Sequence, residues 1–236
     1  MLKHRTFSAV RWTTTAAVGR ALLQLAQVAV LARLLAPEDY GLMAMVAVVL
    51  GFATVFTGLG VNSAYVQRQD VTPEQPSSLF WLNVAMGGGL TLLVLLCSPL
   101  IARFFGHERL TPLLMLAAST FVITALGQQA RMTAEKAMDF RPVVLTEITA
   151  VVLGFAAAAT AAYASWGVYS LILGAIVTAG CGTGLAWLFL ARGWRPMWRL
   201  QWADVRSFLG FGGALVANNT VNQFDRSSDL LLRGAC

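Results

Sequence analysis

Charge is scarce in this chain. Asp, Glu, Lys and Arg make up 12% of the 236 residues, against about 25% in a typical soluble domain, and apolar residues make up 57%. That balance excludes a soluble globular protein. Histidine is nearly missing as well: His4 and His107 stand far apart with no cluster of metal ligands beside either, so neither a metal centre nor a histidine-based catalytic constellation is expected. The three cysteines, Cys97, Cys181 and Cys236, have neither metal-ligand nor redox spacing and are expected as packing residues. No glycine-rich phosphate loop is present, and the polar segments are too short to hold a nucleotide domain. No cofactor is expected. The formal charge of +6 would suggest nucleic acid in a soluble protein, but here the basic residues punctuate apolar runs, so no nucleic-acid partner is expected.

What the chain has instead is long uncharged runs. Residues 40–67, 75–102 and 110–130 carry no charge, and each is long enough for a membrane helix, which needs about 20 apolar residues. Residues 148–191 form one uncharged run whose length as a straight helix, about 66 Å, is roughly twice the hydrocarbon thickness. It must turn back, and Ser165-Trp166-Gly167 is the natural turn, an interfacial aromatic beside a turn-tolerant glycine. The expected fold is all-α, a polytopic transmembrane helix bundle. Six helices near 12–35, 41–62, 79–102, 111–130, 143–164 and 168–190 form one lobe (1–191). A basic, Trp-rich linker (192–206) follows, then a seventh segment (207–236) that starts a second lobe. A cleaved signal peptide at the start is disfavoured, because the first apolar stretch is too long and Pro37 stands where small cleavage-site residues would be.

Orientation follows from the cations. With the amino terminus in the cytoplasm, Lys3, Arg5, Arg11, Arg68, Arg131, Lys136, Arg141, Arg192, Arg195, Arg199 and Arg206 fall inside and only Arg33, Arg103 and Arg109 outside, in accord with the positive-inside rule. In the linker, Trp194, Trp198 and Trp202 recur every four residues. They are expected either on one face of a helix lying flat on the inner interface or as an ordinary Trp belt.

A few residues do not belong in lipid. Arg20 sits nine residues past Arg11, about 13 Å into the membrane at helical rise, where a charge costs at least ~2.5–3.5 kcal/mol. Thr13, Arg20, Gln24 and Gln27 share a helical face and are expected to line an internal cavity. Asn218, Asn222, Asp225 and Asp229 repeat the stripe in the seventh segment. Glu147 is placed at a depth comparable with Arg20, as a packing ion pair with it or as a coupling carboxylate. The glycines of Gly87-Gly88-Gly89 and the pair Gly180 and Gly184 are expected where helices approach closely. Pro99 and Pro112 are expected at helix ends.

The run LARLLAPEDYG (31–41) resembles the first-loop signature of Wzx-type polysaccharide flippases of the multidrug/oligosaccharidyl-lipid/polysaccharide exporter superfamily. GLGVNSAYVQR (58–68), FWLN (80–83), PLIARFF (99–105), MDFRP (138–142), GWRP (193–196) and FLGFGG (208–213) follow in the same order. The resemblance implies transport of an undecaprenyl-diphosphate-linked oligosaccharide to the outer leaflet of a bacterial inner membrane, with two six-helix lobes around a cavity that opens alternately to each side. It implies as partners the lipid-linked oligosaccharide, membrane lipids, and either a second lobe or a second copy. A cationic cavity suits the diphosphate, which Arg20 could hold bidentately while Gln24 and Gln27 bond sugars.

Three other functions are weighed against this one. A cation/drug antiporter of the same superfamily would want a cavity carboxylate, which Glu147 supplies. A membrane enzyme of glycan assembly would want long outer loops with acidic or basic clusters, and the acidic pair Glu38-Asp39 sits in a loop too short to bind a sugar donor. No enzyme is therefore expected. A truncated lobe that packs beside another protein without transporting is the third.

Overall fold

The computed structural model describes residues 23–57, 75–137, 140–191 and 193–197, together with Gly19, Ala21 and Tyr65. It is a helical bundle, and no strand occurs among the described residues. The helices are α1 (Leu23–Leu34), α2 (Pro37–Thr57), α3 (Gln75–Phe105), α4 (Leu110–Lys136), α5 (Phe140–Tyr163) and α6 (Val168–Leu185), the last continued by a π-helical turn, Ala186–Leu190. Four of them, α3 to α6 with its π turn, are long and apolar enough to cross a bilayer. Lipid explains why their outer faces are greasy: Leu92, Leu96, Leu100 and Phe104 of α3 are all exposed.

Helix ends follow local chemistry. Helix α3 stops in a Schellman turn, with Gly106 at φ +72°, its N–H on the Arg103 carbonyl at 3.2 Å and the His107 N–H on the Ala102 carbonyl at 3.1 Å. Helix α5 ends the same way around Ser165, at φ +62°, with Trp166 N–H reaching the Ala161 carbonyl at 3.1 Å. Gly167 then enters α6 at φ +55°, where its hydrogen faces the Asp39 carboxylate and a Cβ would stand 3.3 Å from it. Pro99 lies inside α3 rather than at its end. The helix continues because the carbonyl that Pro99 leaves without an N–H donor, that of Leu95, accepts the Ser98 hydroxyl at 2.8 Å.

Two hairpins, α3/α4 and α5/α6, are zipped by small residues. A Cβ on Gly87 would fall 2.7 Å from Ala125 Cβ and 2.9 Å from the Phe121 carbonyl oxygen, so only glycine lets α3 and α4 meet there. One turn on, the Thr91 hydroxyl reaches the Ala118 carbonyl across the seam, at 3.0 Å. In α5/α6, a Cβ on Gly154 would collide with Thr178 Oγ1, and one on Gly174 would stand 2.8 Å from Ala158 Cβ. Lipid removes the hydrophobic force between such helices, so close van der Waals contact is what holds them. The other expected glycines do not take part: nothing lies within 4 Å of a Cβ built on Gly88, Gly89, Gly180 or Gly184. On α6 the contact face carries Gly174, Thr178 and Gly182, two residues out of step with Gly180 and Gly184.

Candidate functional site

Helix α4 packs mainly on α3 and α6 rather than on α5, its neighbour in the chain. The space left between α4, α5 and α6 is a cavity of about 540 Å³, reached by Gln27 of α1 and Met43 of α2. From α4 come Thr120, Thr124, Gln128 and Arg131, from α5 Glu147, and from α6 Thr178 and Thr183. Spacings of four, four and three along α4 put its four polar groups on one helical face. Gly127 lies beside them because Thr183 crosses there: a Cβ on Gly127 would come within 2.9 Å of Thr183 Oγ1.

An ion pair bridges the gap. Arg131 Nη1 lies 3.0 Å from Glu147 Oε1, the two side chains being 32% and 17% exposed. Both belong to helices that turn back at the end carrying Lys136, Phe140 and Arg141, so the pair lies near that basic end of the bundle. Partial burial makes the partners interdependent, since losing one leaves the other a poorly solvated charge.

The threonines are already donating. Thr120 gives its hydroxyl proton to the Ala117 carbonyl at 2.6 Å, Thr124 to Thr120 at 2.7 Å and Thr178 to Gly174 at 2.8 Å. Thr183 reaches across to the Ile123 carbonyl of α4 at 2.7 Å. Each hydroxyl oxygen keeps lone pairs, so these side chains remain acceptors.

Below the cavity, at the basic end, an aromatic cluster ties three segments together. Trp187 in the π turn donates its indole N–H to the Leu126 carbonyl at 2.9 Å and stacks on Trp194, centroids 6.0 Å apart. The Phe80 ring meets Trp81, Trp187 and Trp194 edge-on. Residues 193–197 are pinned to the start of α3: Trp81 donates its indole N–H to the Met197 carbonyl at 3.0 Å, and the Met197 N–H bonds Ser77 Oγ at 3.2 Å. Of the two readings of the linker, a flat helix or an ordinary Trp belt, this corrects the first at Trp194, which does not share a helical face with Trp198 and Trp202. Residues 194–197 are not helical, Gly193 has φ +79° and Pro196 cannot supply a helical N–H. Trp198 and Trp202 lie outside the described residues.

The predicted site residues meet different fates. Gln27 lines the cavity, whereas Gln24, one turn away, is exposed and does not. Glu147 lines it too, paired with Arg131. Arg20, Asn218, Asn222, Asp225 and Asp229 lie outside the described residues. Sequence reasoning missed Arg131, taken for a loop cation, because it ended the fourth helix at residue 130; that helix runs on to Lys136. It also passed over the Thr120, Thr124, Gln128, Arg131 stripe, whose spacing is the same signal read in the first helix. Among the described residues no group of His, Cys, Asp and Glu could hold a metal ion.

Residues 30–236 match the family described as polysaccharide biosynthesis protein. Over 231 residues the chain is 29% identical to the lipopolysaccharide biosynthesis protein WzxC of Escherichia coli, covering 98% of this chain and 47% of that one. It is 28% identical over 227 residues to the teichuronic acid biosynthesis protein TuaB of Bacillus subtilis, covering 96% and 47%. Over 170 residues it is 27% identical to the succinoglycan biosynthesis transport protein ExoT of Rhizobium meliloti, covering 72% and 34%. The chain thus spans about half the length or less of these relatives, and no solved structure matches it. The match over most of the chain and the bundle of apolar helices agree: this is a multi-pass membrane protein that belongs to the polysaccharide biosynthesis protein family.

Proposed function

We propose that the chain is one lobe of a flippase that carries an undecaprenyl-diphosphate-linked oligosaccharide across the bacterial inner membrane, with its amino terminus in the cytoplasm. The observation that carries this reading is the cavity itself. A mere anchor needs no polar interior, yet here threonines, glutamines and an ion pair face a space of about 540 Å³ inside helices whose outer faces are apolar. Polar groups at that depth are costly, and they repay the cost where they line a path. Relatives named for lipopolysaccharide, teichuronic acid and succinoglycan biosynthesis support a polysaccharide cargo.

On this reading the work is translocation and no bond is broken. Arg20 supplies positive charge to the diphosphate, and Asn218, Asn222 and Asp225 complete the hydrophilic path with Gln27. A second lobe or a second copy of this chain closes the other side. The direct test reconstitutes the chain in liposomes, alone and with the second half that the relatives possess, and measures how fast a lipid-linked oligosaccharide becomes accessible in the opposite leaflet. Protein-dependent translocation is expected for the pair. A rate equal to that of empty liposomes in both cases would refute the reading.

A second reading has one observation in its favour. Glu147 is a carboxylate in the cavity wall, as a cation/drug antiporter of the same superfamily would want. Its charge is matched by Arg131 at 3.0 Å, which leaves little attraction for an organic cation. Export of a cationic dye, abolished by Glu147→Gln, would establish the antiporter instead.

A further inference from the structure

The donors and acceptors of the cavity wall are unevenly supplied, and this bears on which part of a glycolipid it can hold. Four threonine hydroxyls face it or flank it, and all four protons are spent on backbone carbonyls, so toward a ligand they offer lone pairs only. Among the described wall residues the one guanidinium, that of Arg131, is engaged by Glu147. Among the described wall residues, Gln27 and Gln128 are the neutral side chains able to donate.

A phosphate diester or diphosphate brings acceptors and negative charge and needs donors in return. Against the described wall it would meet oxygen lone pairs and a carboxylate, with the positive charge already matched. A bare cation would find the reverse problem: the carboxylate is neutralised, and a space of about 540 Å³ is far wider than the coordination shell of oxygens at 2.3–2.6 Å that a metal such as calcium takes. A sugar ring fits both counts. Each hydroxyl brings a proton for a threonine or carboxylate oxygen, and the ring's C–H faces suit apolar wall residues such as Met43, Leu171 and Ala179. The volume also falls in the range of about 300–1,000 Å³ usual for small-molecule sites.

We infer that the cavity between α4, α5 and α6 is a subsite for uncharged, hydroxyl-rich sugar residues, and that the phosphate of a lipid-linked substrate is met outside it. The inference rests on the flippase reading for the source of the sugar, but its test does not. Purified chain in lipid nanodiscs, free of sugar-based detergent, is examined by saturation-transfer NMR with maltose, lactose and N,N′-diacetylchitobiose, then with inorganic pyrophosphate and with sodium chloride as competitors. At least one disaccharide is expected to bind saturably, to resist a tenfold excess of either salt, and to lose fivefold or more in affinity in Thr124→Val with Gln128→Leu. Gln128→Leu alone serves if the double variant does not fold, with at least a twofold loss expected. Absence of binding by all three sugars, displacement by pyrophosphate or sodium, or sugar binding untouched by the variants would overturn the subsite. Lipid-linked oligosaccharide transport, measured in liposomes with the chain alone and paired with the second half that the relatives possess, separates the two ideas. Sugar binding without transport keeps the subsite and removes the flippase, while transport without sugar binding does the opposite.

Discussion

Helices α5 and α6 meet each other in one way, and α4 and α5 meet in another. In the first seam Gly154, Ala158 and Gly174 bring two backbones so close that an added methyl has nowhere to go. In the second, Thr124, Gln128, Arg131 and Glu147 hold the helices apart around a cavity, and the Arg131–Glu147 ion pair spans it. Both seams belong to apolar helices of similar length, so overall hydrophobicity does not distinguish them. The difference is residue size and polarity at the contact: the small side chains around Gly154 and Ala158, which stand outside the cavity wall, give a dry zipper, and polar ones give an opening that water can fill.

Substitutions at the two seams should therefore fail differently. The largest effect is expected from Gly154→Val, which forces side-chain carbons onto Thr178 and the Gly174 carbonyl; a loss of about 3 kcal/mol, read as a lowered melting temperature in lipid nanodiscs, would mark the dry seam as rigid. A melting curve like that of the parent would mean the hairpin tolerates separation there. Glu147→Gln comes next. It strands Arg131, but exposures of 32% and 17% reduce the penalty below the ~3–5 kcal/mol of a fully buried pair, to on the order of 1–2 kcal/mol. Adding Arg131→Gln should restore part of that loss, and a double variant as weak as the sum of the singles would disprove the coupling.

Smaller effects sharpen the contrast. Thr183→Val removes the α6-to-α4 hydrogen bond to the Ile123 carbonyl and should cost about 0.6 kcal/mol, the usual worth of such a bond in a membrane bundle. Gly184→Ala should change stability by no more than about 0.5 kcal/mol, because its Cβ meets nothing within 4 Å. A marked loss there would show that a helix or a partner occupies that face.

How far the sequence could be read depended on what each feature requires. Membrane helices need only a long uncharged run, and that is visible in one dimension. The glycine zipper needs a helical phase as well: Gly180 and Gly184 have the right spacing, yet the contact face of α6 runs through Gly174 and Gly182, and nothing in the local sequence distinguishes the two registers. The cavity needed attention to threonine. Charges and amides stand out in an apolar helix, but Thr120 and Thr124 look apolar enough to pass as lipid-facing residues, because their hydroxyls bond their own helix. Arg131 was hidden by its own charge, which marks the end of a hydrophobic run although the helix continues for another turn. The partner of Glu147 could not be read from depth alone, since it depends on which helix lies beside α5.

The most direct test of the two-seam account is water access. With Cys97, Cys181 and Cys236 replaced by serine, Thr124→Cys and Ala158→Cys are exposed in native membranes to a small, membrane-impermeant thiosulfonate, and their labelling rates are compared. Ala158 is fully buried in the dry seam, whereas Thr124 faces the cavity. The account predicts rapid labelling at position 124 and none at 158. Equal resistance at both positions would contradict a hydrated cavity between α4 and α5.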